Sequence, residues 1–254
     1  MLRSIRAIIT LKTAVVTALA LLATYLAARF DLTADFPLTL VGIAVVFPLV
    51  FSISGAYKRR EVALGQYGSM KGNGRAIYFA ARDWMEPDPE TLARARELLF
   101  ELLDGCRDLF RTPVKRMAPQ EERVYQAFSD LSEFVKSFRA KGLASGEVSR
   151  CNQYLSKMLI AFENVKHIYQ YRTPRTLRGY SALFIYLLPI IYAPYFAEIA
   201  KDFAAGLTYV MPVLFTVVLV SLENIQEHLE NPFDQIGEDD VVISAEKFVE
   251  RLSV

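Results

Sequence analysis

The sequence predicts an all-α membrane protein with four transmembrane helices and a helical cytoplasmic domain. Three observations carry that prediction. Uncharged apolar runs long enough to cross a bilayer lie in pairs toward the two ends of the chain; a span needs roughly 20 helical residues at about 1.5 Å each. The polar block between the pairs reads at helical period three times over, and no segment alternates as a strand does. With 254 residues, 53 % hydrophobic and 22 % charged, the chain is too apolar for disorder and fits a mixed membrane and soluble protein.

The first span is expected from about Ala7 to Ala28, with Arg3 and Arg6 ahead of it and Arg29 behind. Lys12 interrupts it, leaving Thr13 to Ala28 uncharged, so the span is full length only if Lys12 snorkels to the headgroups. Basic residues, an apolar core and small residues near Ala27 and Ala28 also make up a cleaved signal peptide, which is the rival reading of this segment. The loop from Phe30 to Asp35 carries Asp31 and Asp35 and no basic residue, as an external loop does. A second span lies in Phe36 to Glu61, uncharged through Tyr57 and closed by Lys58, Arg59 and Arg60. Ile43, Phe47 and Phe51 recur in it every four residues and so stack on one helical stripe. Pro48 and Gly42 predict a bend beside that stripe, and Ser52 and Ser54 make its inner end polar.

From Lys58 to Trp84 the chain is helix-permissive, with a break expected at Gly72 and Gly74. Amphipathic helices follow at Pro89 to Phe110, behind an acidic first turn, at Pro119 to Leu143, and at Glu147 to Tyr171. Thr112-Pro113, Ala118-Pro119 and Ser145-Gly146 mark the breaks between them. The third span is Gly179 to Ala197, containing Pro189 and Pro194, and the fourth is Phe203 to Leu222, interrupted by Pro212. Past Leu222 the chain turns polar through Glu223, Glu227 and Glu230 to an acidic group ending at Asp240. Of 29 Lys and Arg residues only Arg29 and Lys201 fall on the expected outside, which places both termini in the cytoplasm. The organisation is then 1–56 for spans one and two, 57–178 for the cytoplasmic domain, 179–222 for spans three and four, and 223–254 for a cytoplasmic tail.

A net charge of +1 with no long basic block excludes a nucleic-acid binder. Cys106 and Cys151 fall in the cytoplasmic block without a CxxC motif and are read as free thiols, while His167 and His228 are far apart, so no metal site is expected. No Ser-His-Asp order, phosphate loop or carboxylate pair stands out, so no catalytic residue is assigned and an enzyme is not expected. Apolar residues at helical spacing in a span ordinarily face lipid or a neighbouring helix. If several copies met around an axis, the stripe of Ile43, Phe47 and Phe51 would instead form rings. The amphipathic faces of the soluble block leave a second class open, a non-conducting membrane-anchored scaffold or sensor.

Two separated segments resemble the bestrophin family of ion channels, and its bacterial members in particular. One is Pro37-Leu38-Thr39-Leu40-Val41-Gly42 through Phe51 with Ala56-Tyr57-Lys58-Arg59, similar to the family's pore-lining second helix and the aromatic and arginine motif after it. The other is Leu222-Glu223-Asn224-Ile225 with Leu229-Glu230-Asn231-Pro232-Phe233 and Gly237-Glu238-Asp239-Asp240, similar to the Asn-Pro-Phe signature and its acidic residues. The resemblance implies a homopentamer whose second helices surround one pore, and it lands Ile43, Phe47 and Phe51 on the apolar rings of the family's neck. Arg60, Glu61 and Val50 depart from the family pattern and bear on the packing behind the neck. The family's second, cytoplasmic constriction would fall near Ala144 to Val148, where Val148 is the bulkiest apolar residue. Some members hold Ca²⁺ in a clasp here, and Asn231, Asp234, Glu238, Asp239 and Asp240 are the candidate ligands. The ion takes roughly 6–8 oxygens, however, and Gln235-Ile236 lengthens the spacing, so a solvated acidic turn is the better reading and no cofactor is expected. The function so implied is a channel of the inner membrane passing chloride or other small anions, with a cation-conducting relative as the alternative.

Overall fold

The computed structural model describes residues 9–35, 38–86, 88–171, 174–199, 201, 209–233 and 240–252. All regular structure among them is helical: α1 Leu11–Arg29, α2 Leu38–Asp83, α3 Pro89–Arg111, α4 Ala118–Ser137, α5 Ser145–Gln170, α6 Arg175–Ile191, α7 Ala193–Ile199, α8 Val210–Glu230 and α9 Ala245–Glu250. A single 3₁₀ turn, Val114–Arg116, links α3 to α4. The chain divides into two compact units. One is made of Met1–Arg59, Thr173–Asn231 and Ile236–Asp239; the other of Arg60–Arg172, Pro232–Gln235 and Asp240–Val254.

In the first unit α1 packs on α6, α7 and α8. Its apolar contacts are small and dispersed: Val16, Leu49, Ile185 and Val220 form one cluster, Leu188, Tyr192 and Phe196 a second, Ala27, Ala193 and Ala197 a third. Three helical stretches among the described residues are long and apolar enough to cross a membrane, Leu11–Arg29, Ala182–Ile199 and Val210–Glu230. The expected second span opens α2, where several side chains lie outside the described residues. The third span is not one helix. It breaks at Tyr192, whose successor α7 carries Pro194 in its first turn, a position where the missing N–H costs nothing. Pro189 sits inside α6 and Pro48 inside α2 without ending either.

One further expectation is corrected. The chain does not break at Gly72 and Gly74, because α2 runs unbroken to Asp83. A β-carbon on Gly74 would lie 3.1 Å from Leu99 Cδ2 and 3.3 Å from Met158 Cε, so this glycine lets α3 and α5 press close rather than marking a turn. Helix α8 continues to Glu230, with Glu223, Asn224, Gln226 and Glu230 buried along it.

The second unit has one continuous core. Leu98, Leu99, Leu102, Leu103, Cys106, Leu109 and Phe110 of α3 meet Val124, Phe128, Leu131 and Val135 of α4 and Cys151, Met158, Phe162 and Val165 of α5. These are the apolar positions that helical period picks out, and their burial is what stabilises helices that propensity alone would leave marginal. Leu159, assigned to the same stripe, is instead exposed. Helix α4 ends at Ser137, short of the expected Leu143; Phe138 tucks into the core and the chain turns through Gly142 at φ 90°, which suits glycine. Both cysteines are free and buried, and burial pushes the Cys151 thiol up to about 11, so neither is poised to react.

Asp88 caps α3 by accepting from the Glu90 N–H at 3.1 Å. Its carboxylate lies 2.6 Å from Lys141 Nζ, and hydrogen bonds from Lys141 and Thr91 hold it well below the usual carboxylate range. A carboxylate depressed in the folded state contributes stability above its unfolded value and loses it as pH falls further. The melting temperature should therefore drop between pH 5 and pH 3, and Lys141→Met should flatten that drop in a thermal scan of the detergent-solubilised protein.

Candidate functional site

The stripe on α2 is built by the helix alone: residues four apart return to nearly the same face, so Ile43, Phe47 and Phe51 rise along it one turn at a time. All three are at least half exposed on the subunit. Ile43 is 50 % exposed, Phe47 57 % and Phe51 67 %, with the two rings 5.8 Å apart at 50°. The other face of the same turns is closed, since Leu49, Ser52 and Ala56 are buried. The fold thus holds three large apolar side chains outward, and their burial by something beyond the subunit is worth roughly 1.5–3 kcal/mol each. They answer to lipid, to a neighbouring subunit or to a lumen.

The remaining expected site residues fall elsewhere. Val148 lies in the first turns of α5 at 4 % exposure, inside the core of the second unit. Asp234, Glu238 and Asp239 lie outside the described residues, while Asn231 caps the end of α8 and Asp240 precedes Val241. No cluster of three metal-ligating side chains occurs among the described residues.

Sequence reasoning missed what the residues of the second motif do. Lys12 does not merely interrupt a span: its Nζ lies 2.6 Å from Glu223 Oε2 and 3.4 Å from Glu227 Oε1, above the ring of Tyr186. One turn on, the Asn224 side-chain amide donates to Thr10 Oγ1 at 3.2 Å and Thr13 Oγ1 at 3.4 Å. Glu223 and Asn224 thereby fix the start of α1 to the inner half of α8. The available signal was a lysine in one apolar helix and a glutamate in another, a pairing that charge in a span almost requires. Lys12→Met should cost about 2 kcal/mol, less than a fully enclosed pair because Lys12 keeps some solvent contact. Thermal unfolding should show Glu223→Gln restoring part of that loss in the double variant.

Further along the motif, Phe233 enters the core of the second unit at 2 % exposure. It stacks on Phe110 with centroids 4.9 Å apart and planes at 25°, and meets Tyr169 edge-on at 6.2 Å. The carbonyl of Pro232 accepts from the Val241 N–H at 2.7 Å.

No family model and no curated protein matches the sequence. Solved structures do. A crystal structure of a bacterial bestrophin homologue from Klebsiella pneumoniae, a point mutant, gives a TM-score of 0.78 at 16 % identity over 96 % of this chain and 100 % of that one. A second point mutant of that homologue gives 0.77 at 17 % identity over 95 % of this chain and 98 % of that one. A third structure of it gives 0.72 at 16 % identity over 95 % and 93 %. The chain has the bacterial bestrophin fold.

Proposed function

We propose that the chain is a bestrophin-type ion channel, a homopentamer of the inner membrane with both termini in the cytoplasm. It conducts chloride or other small anions through a neck formed by Ile43, Phe47 and Phe51. The observation that carries the reading is the outward stripe: on a chain with this fold, three large apolar side chains are held off the subunit while the opposite face of the helix is packed shut. Residues 57–178 form the cytoplasmic domain in this reading, and 223–254 its tail.

Five copies of such a stripe make stacked rings that offer an ion no charge and no carbonyl oxygen. Water leaves so apolar a constriction readily, so the neck gates by dewetting and passes ions that have shed part of their hydration. Phenyl edges carry the positive side of the ring quadrupole, which favours anions where Phe47 and Phe51 turn their edges to the lumen. The acidic turn after Phe233 is read as solvated, and no Ca²⁺ enters the mechanism.

The test is a reversal potential under asymmetric potassium chloride, on purified protein in a planar bilayer. A potential on the chloride side of zero is expected. One on the potassium side would transfer the proposal to a cation channel, and an absence of current from a protein that cross-links as a monomer would leave a scaffold.

A further inference from the structure

We propose that the basic pocket of the second unit, between Lys71 and Arg75 of α2 and Lys247 and Arg251 of the C-terminal segment, binds a ligand through its phosphate groups. The pocket has a volume of about 460 Å³, enough for a group of several atoms rather than one bare ion. Four cationic side chains line it, with the Tyr67 and Ser244 hydroxyls, and among the described residues no Asp or Glu does. That is a concentration of positive charge on a chain whose net charge is only +1.

Among the described residues no carboxylate pairs with these cations. Lys71 lies 4.4 Å above the Tyr67 ring, and Arg75 faces the Phe248 ring at 5.9 Å with its Nε buried and without an acceptor. Glu246, the neighbour of Lys247 in sequence, is turned to Arg107 at 2.7 Å. Burial, with the adjacent guanidinium groups of Arg75 and Arg251, pushes the Lys71 ammonium below its ordinary value, as expected where like charges crowd without a counter-ion. Tyr67 accepts from the Ser244 N–H at 3.2 Å, which sets the hydroxyl at the pocket wall.

The floor gives a second, independent sign. Gly68 and Gly72 lie on the pocket side of α2, inside a long helix where each glycine costs about 1 kcal/mol relative to alanine. Among the described residues no atom beyond the helix's own turns lies within 4 Å of where either β-carbon would stand, so packing among them does not ask for these glycines. They keep open a floor that an occupant would use. Guanidinium forks and a lysine ammonium around an open cavity match a dianionic or more highly charged phosphate, each bond being charge-assisted. The chemistry is common to a free phosphate compound and to a lipid headgroup.

The experiment is calorimetric titration of the full-length protein in uncharged detergent, and it needs no measurement of flux, so it stands apart from the channel proposal. Inorganic pyrophosphate probes the free source and dihexanoyl phosphatidic acid the lipid source. Saturable binding of at least one probe, at one site per subunit, is expected. Arg75→Gln should weaken it about tenfold, the loss of one charge-assisted interaction. Gly72→Leu, which fills the floor without touching a charge and improves helix propensity, should abolish it. Arg82→Gln, outside the pocket and paired with Asp83, should change nothing. Pyrophosphate binding assigns a soluble ligand, and binding of the phosphatidic acid alone assigns a headgroup. No saturable binding of either probe, an affinity unchanged by Arg75→Gln, or binding that survives Gly72→Leu, overturns the proposal.

Discussion

In the proposed channel, Phe47→Ala is expected to raise ion flux in proteoliposomes by about tenfold, the effect of lowering the conduction barrier by about 1.4 kcal/mol. The sign follows from what limits passage. A ring of phenyl groups gives a permeating ion nothing to exchange for its hydration, so the barrier is that of keeping water in a narrow apolar tube. Truncation widens the tube and lets water remain. Ile43→Ala acts in the same direction by the same argument, whereas Val218→Ala, at another exposed apolar position on α8, leaves flux unchanged. Flux unaltered by Phe47→Ala and Ile43→Ala alike would mean that the stripe faces lipid.

The largest stability effect is expected at the other motif. Phe233→Ala removes a buried ring stacked on Phe110 and touching Tyr169, and the core of the second unit is close-packed around it. Phenylalanine truncations of this kind cost about 3–5 kcal/mol, the transfer term plus the cavity left behind. In a chain of this length that lowers the melting temperature by about 10 °C, and Phe233→Leu should recover more than half of it. The measurement is a thermal melt followed by the single tryptophan, Trp84, which lies at the end of α2 in the same unit. A melt unchanged by Phe233→Ala would show that this residue does not hold the core.

How far the fold was legible depends on which physical signal each element carries. Helices α3 and α5 were read nearly to their ends, and α4 at its start but not its end, because each buries one stripe against the others and because Thr112-Pro113, Ala118-Pro119 and Ser145-Gly146 mark boundaries locally. The glycines at 72 and 74 misled for the same reason that turns are legible at all: glycine signals a turn and a close approach alike, and only the positions of Leu99 and Met158 tell them apart. The break at Tyr192 and the polar continuation of α8 to Glu230 were hidden because both rest on tertiary partners. Glu223 stays helical and buried through Lys12, more than two hundred residues away. For the neck, periodicity found the stripe without fixing its outlook; the structure adds that the subunit does not bury it. An apolar residue near the expected second constriction carries no sign in sequence of which way it faces; the structure places Val148 in the core of the second unit.

Both the neck and its selectivity depend on a single geometric statement, that the second helices of several copies stand around one axis with the stripe toward it. An electron cryo-microscopy map of the assembled protein in lipid nanodiscs tests this most directly. Five copies with Ile43, Phe47 and Phe51 ringed around a central opening are expected; density for acyl chains against those side chains, with no opening on the axis, would contradict it.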